Sequence, residues 1–253
     1  MGKRSHEVDY GNWVSKKFIY IPAVLAIVFL GLSFLSLFFL VGTFLFLIPT
    51  VYFIYAYFQF SPRGSNLQAK IRDLASDHLG WDGNGRLLDI GCGNGALAIE
   101  AAKKYPKSQL VGIDYWGGQW EYSKESCERN AEIAGVAERI SFQKASAATL
   151  PFPDESFDAI VSNFVFHEVQ DVKDKRAVIK EALRVLKKDG LFMFQDPFRW
   201  EKIYGELEDL LVTIQSWGIQ QVEFVDTSQQ SFIPGAMKLP FMLGQIGIIH
   251  GRK

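Results

Sequence analysis

Cysteine is scarce in this chain, with Cys92 and Cys127 its only two. Two thiols are too few for a disulfide framework and point to a reducing compartment. Histidine is nearly as rare, at four residues, and no His/Cys cluster has the spacing of a metal site. No metal is therefore expected. Basic charge is not concentrated either. Lys and Arg total 27 against 28 Asp and Glu, for a net charge of −1, and no Lys/Arg-rich helix or strip follows Arg63. Nucleic acid is accordingly an unlikely partner. Internal repeats and low-complexity tracts are also missing.

The longest absence is of charge. From Phe18 to Pro62 there is no Asp, Glu, Lys or Arg, and most positions are Leu, Phe, Ile, Val or Tyr. A membrane-spanning helix needs about 20 apolar residues, so this stretch has room for two. The expected arrangement is a transmembrane helical hairpin, Phe18–Leu37 and Val41–Phe60, with a tight reversal between them. A secretory signal fits poorly, because its apolar core runs only about 7–15 residues before a small-residue cleavage site. Two alternatives stay open: a greasy helical pair buried against the rest of the chain, and a re-entrant hairpin that does not fully cross. Lys3, Arg4, Lys16 and Lys17 precede the run, and Arg63, Lys70 and Arg72 follow it. Basic flanks on both sides place both ends in the cytoplasm and suit anionic lipid headgroups. Tyr20, Tyr52, Tyr55 and Tyr57 lie near the expected ends, where aromatic belts form. The chain thus divides into an N-terminal cytoplasmic segment (1–17), the hairpin (18–62) and a larger domain (63–253), long enough to bury its own core.

Glycine, in contrast, is plentiful where it carries information. Arg86-Leu87-Leu88 reads as a buried strand, Asp89-Ile90-Gly91-Cys92-Gly93-Asn94-Gly95 as a turn, and Ala96 to Lys104 as a helix. Glycines at alternate positions let a strand turn sharply into a helix and let backbone N–H groups approach a ligand. Gly91-x-Gly93-x-x-Ala96 also satisfies the loose dinucleotide pattern. Asp89 weighs against that reading, since a carboxylate there repels a diphosphate but attracts the ammonium or sulfonium of an amino-acid-like ligand.

The stretch resembles motif I of the class I S-adenosylmethionine-dependent methyltransferases, and the segments after it follow that family's order. Gln109 to Asp114 is a second buried strand ending in an acid, able to accept from both ribose hydroxyls. Gln119 to Ala134 reads as a helix, and Arg139–Gln143 as a third strand. Leu150-Pro151-Phe152 and Ser156 to Asn163 resemble the family's "LPF…SFDxV" segment and fourth strand. Val178 to Lys188 with Asp189-Gly190 resembles its "RVLKxGG" helix and turn into a fifth strand, Leu191–Gln195. A helix from Glu201 to Trp217 and strand-like runs Gln221–Val225 and Gln245–His250 match the family's closing elements. The resemblance implies a Rossmann-like, doubly wound, seven-stranded α/β sheet, and S-adenosyl-L-methionine as cofactor. One departure stands out. The family's Gly-Asp-Ala after strand three, whose acid holds the adenine amino group, is replaced here by Lys144-Ala145-Ser146-Ala147.

Carried over residue by residue, the resemblance assigns Asp89, Gly91, Cys92, Gly93, Asn94, Asp114, Tyr115, Trp116, Ser146, Ala147 and Asn163 to the cofactor. Methyl transfer from a sulfonium is an in-line displacement, so the protein need only align the acceptor and, for a poor nucleophile, remove a proton. His167, after strand four, is the candidate general base, because an ordinary imidazole titrates near neutrality; a structural or cofactor-contact role is its alternative. Glu168 and Asp196 are further catalytic candidates, with helix or turn capping as their alternative. Trp116 and Trp120 frame a loop that can stack on adenine or simply pack. Tyr10 and Trp13 suit either a membrane interface or a segment folded over the cofactor. The apolar loop Ser231–Leu243 reads as a substrate lid, a second membrane-dipping patch or an ordinary hairpin.

Together these features lead to an expected membrane-anchored methyltransferase of a lipophilic, membrane-associated small molecule, with the bilayer as partner. A non-catalytic cofactor-binding membrane module, a nucleotide-dependent oxidoreductase and a methyltransferase of a membrane protein are its rivals.

Overall fold

A computed structural model describes residues 7–117 and 121–253. It divides into two compact units, one formed by Arg72–Lys253 with the residues up to Tyr10, the other by Gly11–Ile71. Their limits differ from the boundaries at 17/18 and 62/63 expected from hydropathy, because residues 11–16 and 63–71 pack within the second unit.

In that unit, α1 (Lys17–Leu32) and α2 (Phe39–Phe60) pair as a hairpin. Their antiparallel register shows in ring contacts, Phe18 stacking on Phe53 at 5.2 Å and Phe29 on Phe46 at 5.5 Å. Gly42 lets the Phe29 ring lie against the α2 backbone, where any Cβ would overlap it. The buried Thr43 and Thr50 hydroxyls donate to the carbonyls of Phe39 and Phe46, one turn back. Among the described residues, one helix, α2, is long and apolar enough to cross a membrane. The first helix stops at Leu32, five residues earlier than expected, and residues 33–38 form successive turns.

The larger unit is a seven-stranded sheet in the order β3-β2-β1-β4-β5-β7-β6. Its strands are β1 (Arg86–Ile90), β2 (Gln109–Asp114), β3 (Ile140–Lys144), β4 (Phe157–Asn163), β5 (Leu186–Asp196), β6 (Gln221–Asp226) and β7 (Gly247–Arg252). The first five run parallel, and β7 pairs antiparallel with both β5 and β6. The helices of this unit are the Arg72–Asp77 end of α3 (Leu67–Asp77), α4 (Ala96–Lys104), α5 (Lys124–Ile133), α6 (Arg176–Arg184), α7 (Glu201–Tyr204) and α8 (Leu207–Ser216). Strand residues alternate between two apolar layers. Leu88, Val111, Ile160 and Phe192 pack on one face, while Leu87, Leu110, Ala159 and Met193 pack on the other. Burial on both faces is why these strands read as continuous apolar runs.

Several boundaries depart from the expectation, three of them for a visible reason. Strand five begins at Leu186, because Lys187-Lys188-Asp189-Gly190 belongs to the strand as an irregularity in its pairing with β4. The closing helix is split, with Gly205 at φ 75° separating α7 from α8. The helix expected from Gln119 begins at Lys124, where Ser123 accepts the N–H of Ser126 as N-cap.

Candidate cofactor and acceptor site

In an open parallel sheet, ligands bind beyond the carboxyl ends of the strands where the strand order reverses. Here that point lies between β1 and β4, and the glycine turn leaves β1 there. Gly91, Gly93 and Gly95 all have positive φ, at 74°, 57° and 83°. Gly91 and Cys92 donate their N–H groups to the Ile113 carbonyl at 2.8 and 2.9 Å, folding the turn over the end of β2. A Cβ on Gly91 would overlap Val165, so that glycine is what lets the turn and the loop after β4 touch.

Both acids sit in this cradle. Gly95 has no side chain with which to cap α4; instead Asp89, in the preceding strand, accepts the Ala98 N–H at 3.0 Å. Asp89 is 1% exposed. Burial and the nearby Asp114 push its pKa up to about 7, against the opposing pull of the Ala98 N–H and Arg72. Beyond the ligand-binding role expected of it, Asp89 thus also caps a helix. Asp114 accepts N–H groups from Gly93 at 2.9 Å and Trp116 at 2.8 Å, and burial raises its pKa.

The flanking positions are equally specific. Trp116 donates its indole N–H to the Gly93 carbonyl at 2.9 Å, which Cys127 also approaches at 3.1 Å. Trp116 therefore packs on the glycine turn. Trp120 lies outside the described residues. Tyr115 is exposed, with the Lys144 ammonium 5.1 Å from its ring centre. Asn94 is buried and accepts the Ser123 N–H at 3.2 Å. Asn163 ends β4, and its Oδ1 is buried without a hydrogen-bond partner. Ser146 and Ala147 follow β3, where the Ala145 N–H donates to the Asp114 carbonyl at 3.0 Å.

Three participants carried no local signal in the sequence. Asp171, beyond strand four, accepts the Ser146 hydroxyl, so an acid reaches the position where the usual Gly-Asp-Ala acid is missing. Tyr122 lies against the glycine turn, its ring 3.5 Å from where a Gly93 Cβ would sit, and burial raises its pKa. Asn130 holds the Asp9 backbone from both sides: it accepts the Asp9 N–H at 3.0 Å and donates to the Asp9 carbonyl at 2.8 Å, and its amide also reaches the Asn94 carbonyl at 3.0 Å. Tyr10 donates to Glu100 at 3.3 Å beneath the Arg72 guanidinium. Residues 9 and 10 are thereby fastened beside the glycine turn. Trp13 instead belongs to the hairpin unit, 5.5 Å from Phe60.

Past β4 the backbone turns through Phe164 at φ 58°, a costly conformation for an aromatic residue, held by its N–H to the Gln195 carbonyl at 2.8 Å. This turn presents the short 3-10 segment Phe166–Glu168 to the end of β5. Asp196 is buried there, accepting the Phe166 N–H at 2.7 Å and facing His167 Nδ1 at 2.5 Å. Nε2 of His167 lies 3.4 Å from Glu168. Burial alone would lower the imidazole's pKa, but the two carboxylates outweigh it and raise it to about 10. Glu168 is held below its ordinary value, chiefly by its bond to His167. So high a pKa favours the imidazolium at neutral pH, a state with no lone pair with which to act as a base.

A doubly wound sheet with a glycine turn at its switch point and acids near the ends of its first two strands defines an α/β protein built around a nucleoside-bearing cofactor. Residues 88–194 match the family model of a methyltransferase domain. The ubiquinone/menaquinone biosynthesis C-methyltransferase of Geotalea daltonii is 35% identical over 120 residues, 47% of this chain and 48% of that protein. The sterol 24-C-methyltransferase of Aspergillus fumigatus is 35% identical over 107 residues, 42% of this chain and 26% of that one. The matches thus span about half or less of these relatives. The geranyl diphosphate C-methyltransferase of Streptomyces coelicolor A3(2) has the same fold, with a TM-score of 0.58 at 18% identity over 74% of this chain and 80% of that one.

Proposed function

We propose that this protein is a membrane-attached, S-adenosylmethionine-dependent methyltransferase acting on a lipophilic or membrane-associated small molecule, with its catalytic part in the cytoplasm. The observation that carries the reading is the cradle at the switch point. It is lined by glycine backbone, the two carboxyl groups of Asp89 and Asp114, and the unpartnered Asn163 Oδ1. Such a surplus of acceptors fits a ligand bearing an ammonium, a sulfonium and ribose hydroxyls better than it fits a diphosphate.

In this reading Asp89, Gly91, Cys92, Gly93, Asn94 and Asn163 hold the amino-acid end. Asp114 keeps free lone pairs for the ribose, and Tyr115, Trp116, Ser146 and Ala147 border the adenine, with Asp171 behind Ser146. S-adenosylmethionine supplies an electrophilic methyl group when bound. His167 and Asp196, joined to the cradle through the Val165–Gly91 contact, face the acceptor's side. An imidazolium there draws an ionised oxygen of the acceptor into place and favours its charged, more nucleophilic form. Glu168 keeps Nε2 occupied until the acceptor displaces it. The dyad geometry also supports the base reading, with Asp196 orienting the ring, once His167 has given up its proton.

The lipophilic acceptor is supported by the hairpin and by relatives named for quinone and sterol methylation. Both basic flanks of the hairpin suit the cytoplasmic face, whether it crosses twice, as its length first suggested, or not at all. The deciding experiment is transfer of labelled methyl groups from S-adenosylmethionine into extracts of the host membrane by the detergent-purified protein. Label in a lipid-soluble product is the expected result. Label in protein moves the acceptor to a membrane protein, and no label while the cofactor still binds defeats the enzymatic reading.

A further inference from the structure

We infer that the α1–α2 hairpin is re-entrant: it enters and leaves through one leaflet, with its tip, residues 33–38, buried among lipid acyl chains. The inference rests on the membrane reading above and concerns the hairpin unit alone.

The tip has the character of a buried end. Phe34, Leu35, Leu37 and Phe38 are 90, 81, 77 and 78% exposed on the protein. A fully crossing hairpin would push these four side chains into water on the far side. The tip carries no charge, and most of its backbone N–H groups are satisfied from within. The Ser33 hydroxyl donates to the Leu30 carbonyl at 2.6 Å. Backbone N–H groups of Ser33 through Ser36 donate to carbonyls of residues 29–32, and those of Phe39 through Val41 to carbonyls of residues 36–38. The Phe38 N–H reaches the Ser36 hydroxyl at 3.4 Å. Internal satisfaction of the backbone is what hydrocarbon demands and what an aqueous loop does not need.

The anchoring residues lie at one end only. Tyr20, Tyr52, Tyr55 and Tyr57 cluster near the open end, with Lys16, Lys17 and Arg63 beyond them, and no Tyr or Trp occurs from Ile21 to Val51. A two-span segment would ordinarily carry a second belt. Length agrees. At about 1.5 Å per residue, Tyr20 to Leu32 rises about 18 Å and Phe39 to Tyr55 about 24 Å. Both belt-to-tip spans fall short of a hydrocarbon core of about 30 Å, although α2 over its full 22 residues is long enough to cross one. One belt, one basic rim and a short apolar wedge describe a helical pair seated in a single leaflet.

The test uses the full chain in sealed host-membrane vesicles of either orientation, with Leu35→Cys as reporter and Arg63→Cys as the exposed control. Cys92 and Cys127 are buried, and the unsubstituted protein sets their background. The expected result is loss of Leu35→Cys labelling by a membrane-impermeant maleimide from both faces, restored by detergent, while Arg63→Cys labels without detergent from one face. Labelling of Leu35→Cys only from the face opposite Arg63→Cys would overturn the inference and establish two crossings. Labelling of both cysteines from the same face, with the protein released by alkaline carbonate, would overturn it by removing the membrane reading itself. Carbonate release therefore separates the two failures.

Discussion

Nδ1 of His167 lies 2.5 Å from Oδ1 of the buried Asp196, and the same carboxylate holds the Phe166 N–H at 2.7 Å. One acid therefore fixes both the charge of the imidazole and the path of the loop that carries it. His167 has a raised folded-state pKa, about 10 against 6.5. The pair's stabilisation is thus fully present below about pH 6.5 and lost as pH rises through about 10. An NMR titration of the His167 ring should show it protonated through neutrality. In Asp196→Asn its pKa should fall. With S-adenosylmethionine kept saturating at every pH, the methylation rate should keep a flat acidic side and drop on the alkaline side; an acidic limb near 6.5 under that condition would instead mark His167 as a resting-state base.

Asp89 should make cofactor binding pH-dependent. Its carboxyl has a pKa of about 7 in the free protein, and a cationic ligand binds its ionised form. Affinity for S-adenosylmethionine should therefore weaken as pH falls below about 7, by up to about tenfold per unit. Calorimetry across pH 5.5–8.5, roughly spanning that value, reads this directly. In Asp89→Asn the dependence should vanish and affinity should fall. Asp89→Ala should additionally lose the α4 cap, at a cost of about 1 kcal/mol in stability.

Gly91→Ala tests the meeting of the two halves of the site. The residue sits at φ 74°, and its new Cβ would overlap Val165. The backbone conformation costs about 1–2 kcal/mol, and the overlap adds about 1–3 kcal/mol. Thermal unfolding should show a clear fall in Tm with cofactor affinity reduced in parallel. Gly135→Ala, at φ 70° with open space around it, should show only the backbone part.

Asn130→Ala should release the segment at Asp9 and Tyr10. The amide makes three hydrogen bonds that join it to Asp9 and Asn94, and losing them should cost about 1–3 kcal/mol locally. Hydrogen exchange at Asp9 should accelerate in the variant, and cofactor affinity should fall because Asn94 loses its support. Unchanged exchange at Asp9 would show that Tyr10, Glu100 and Arg72 hold the segment unaided.

Much of the architecture was legible in the chain because it depends on short-range patterning. Apolar runs such as Leu110 to Ile113, followed by glycine or an acid, report burial and turning within a few residues, so the succession of strands along the chain, the glycine turn and the ends of β2 and β4 could be read directly, while the doubly wound sheet was implied by the family resemblance. The hairpin was legible for the same reason, through 45 residues without charge, Phe18 to Pro62. Its details were not: α1 stops at Leu32 and the tip closes on itself through bonds between neighbouring turns, which composition does not encode. Nor could sequence show Asp89 capping α4, Asp171 reaching Ser146 across 25 residues, Asn130 holding Asp9 across 121, or two carboxylates converting His167 into an imidazolium. Each of these depends on burial and on partners distant in the chain. The amino-acid order determined which groups the site has; only the tertiary structure decided which of them meet, and with what charge.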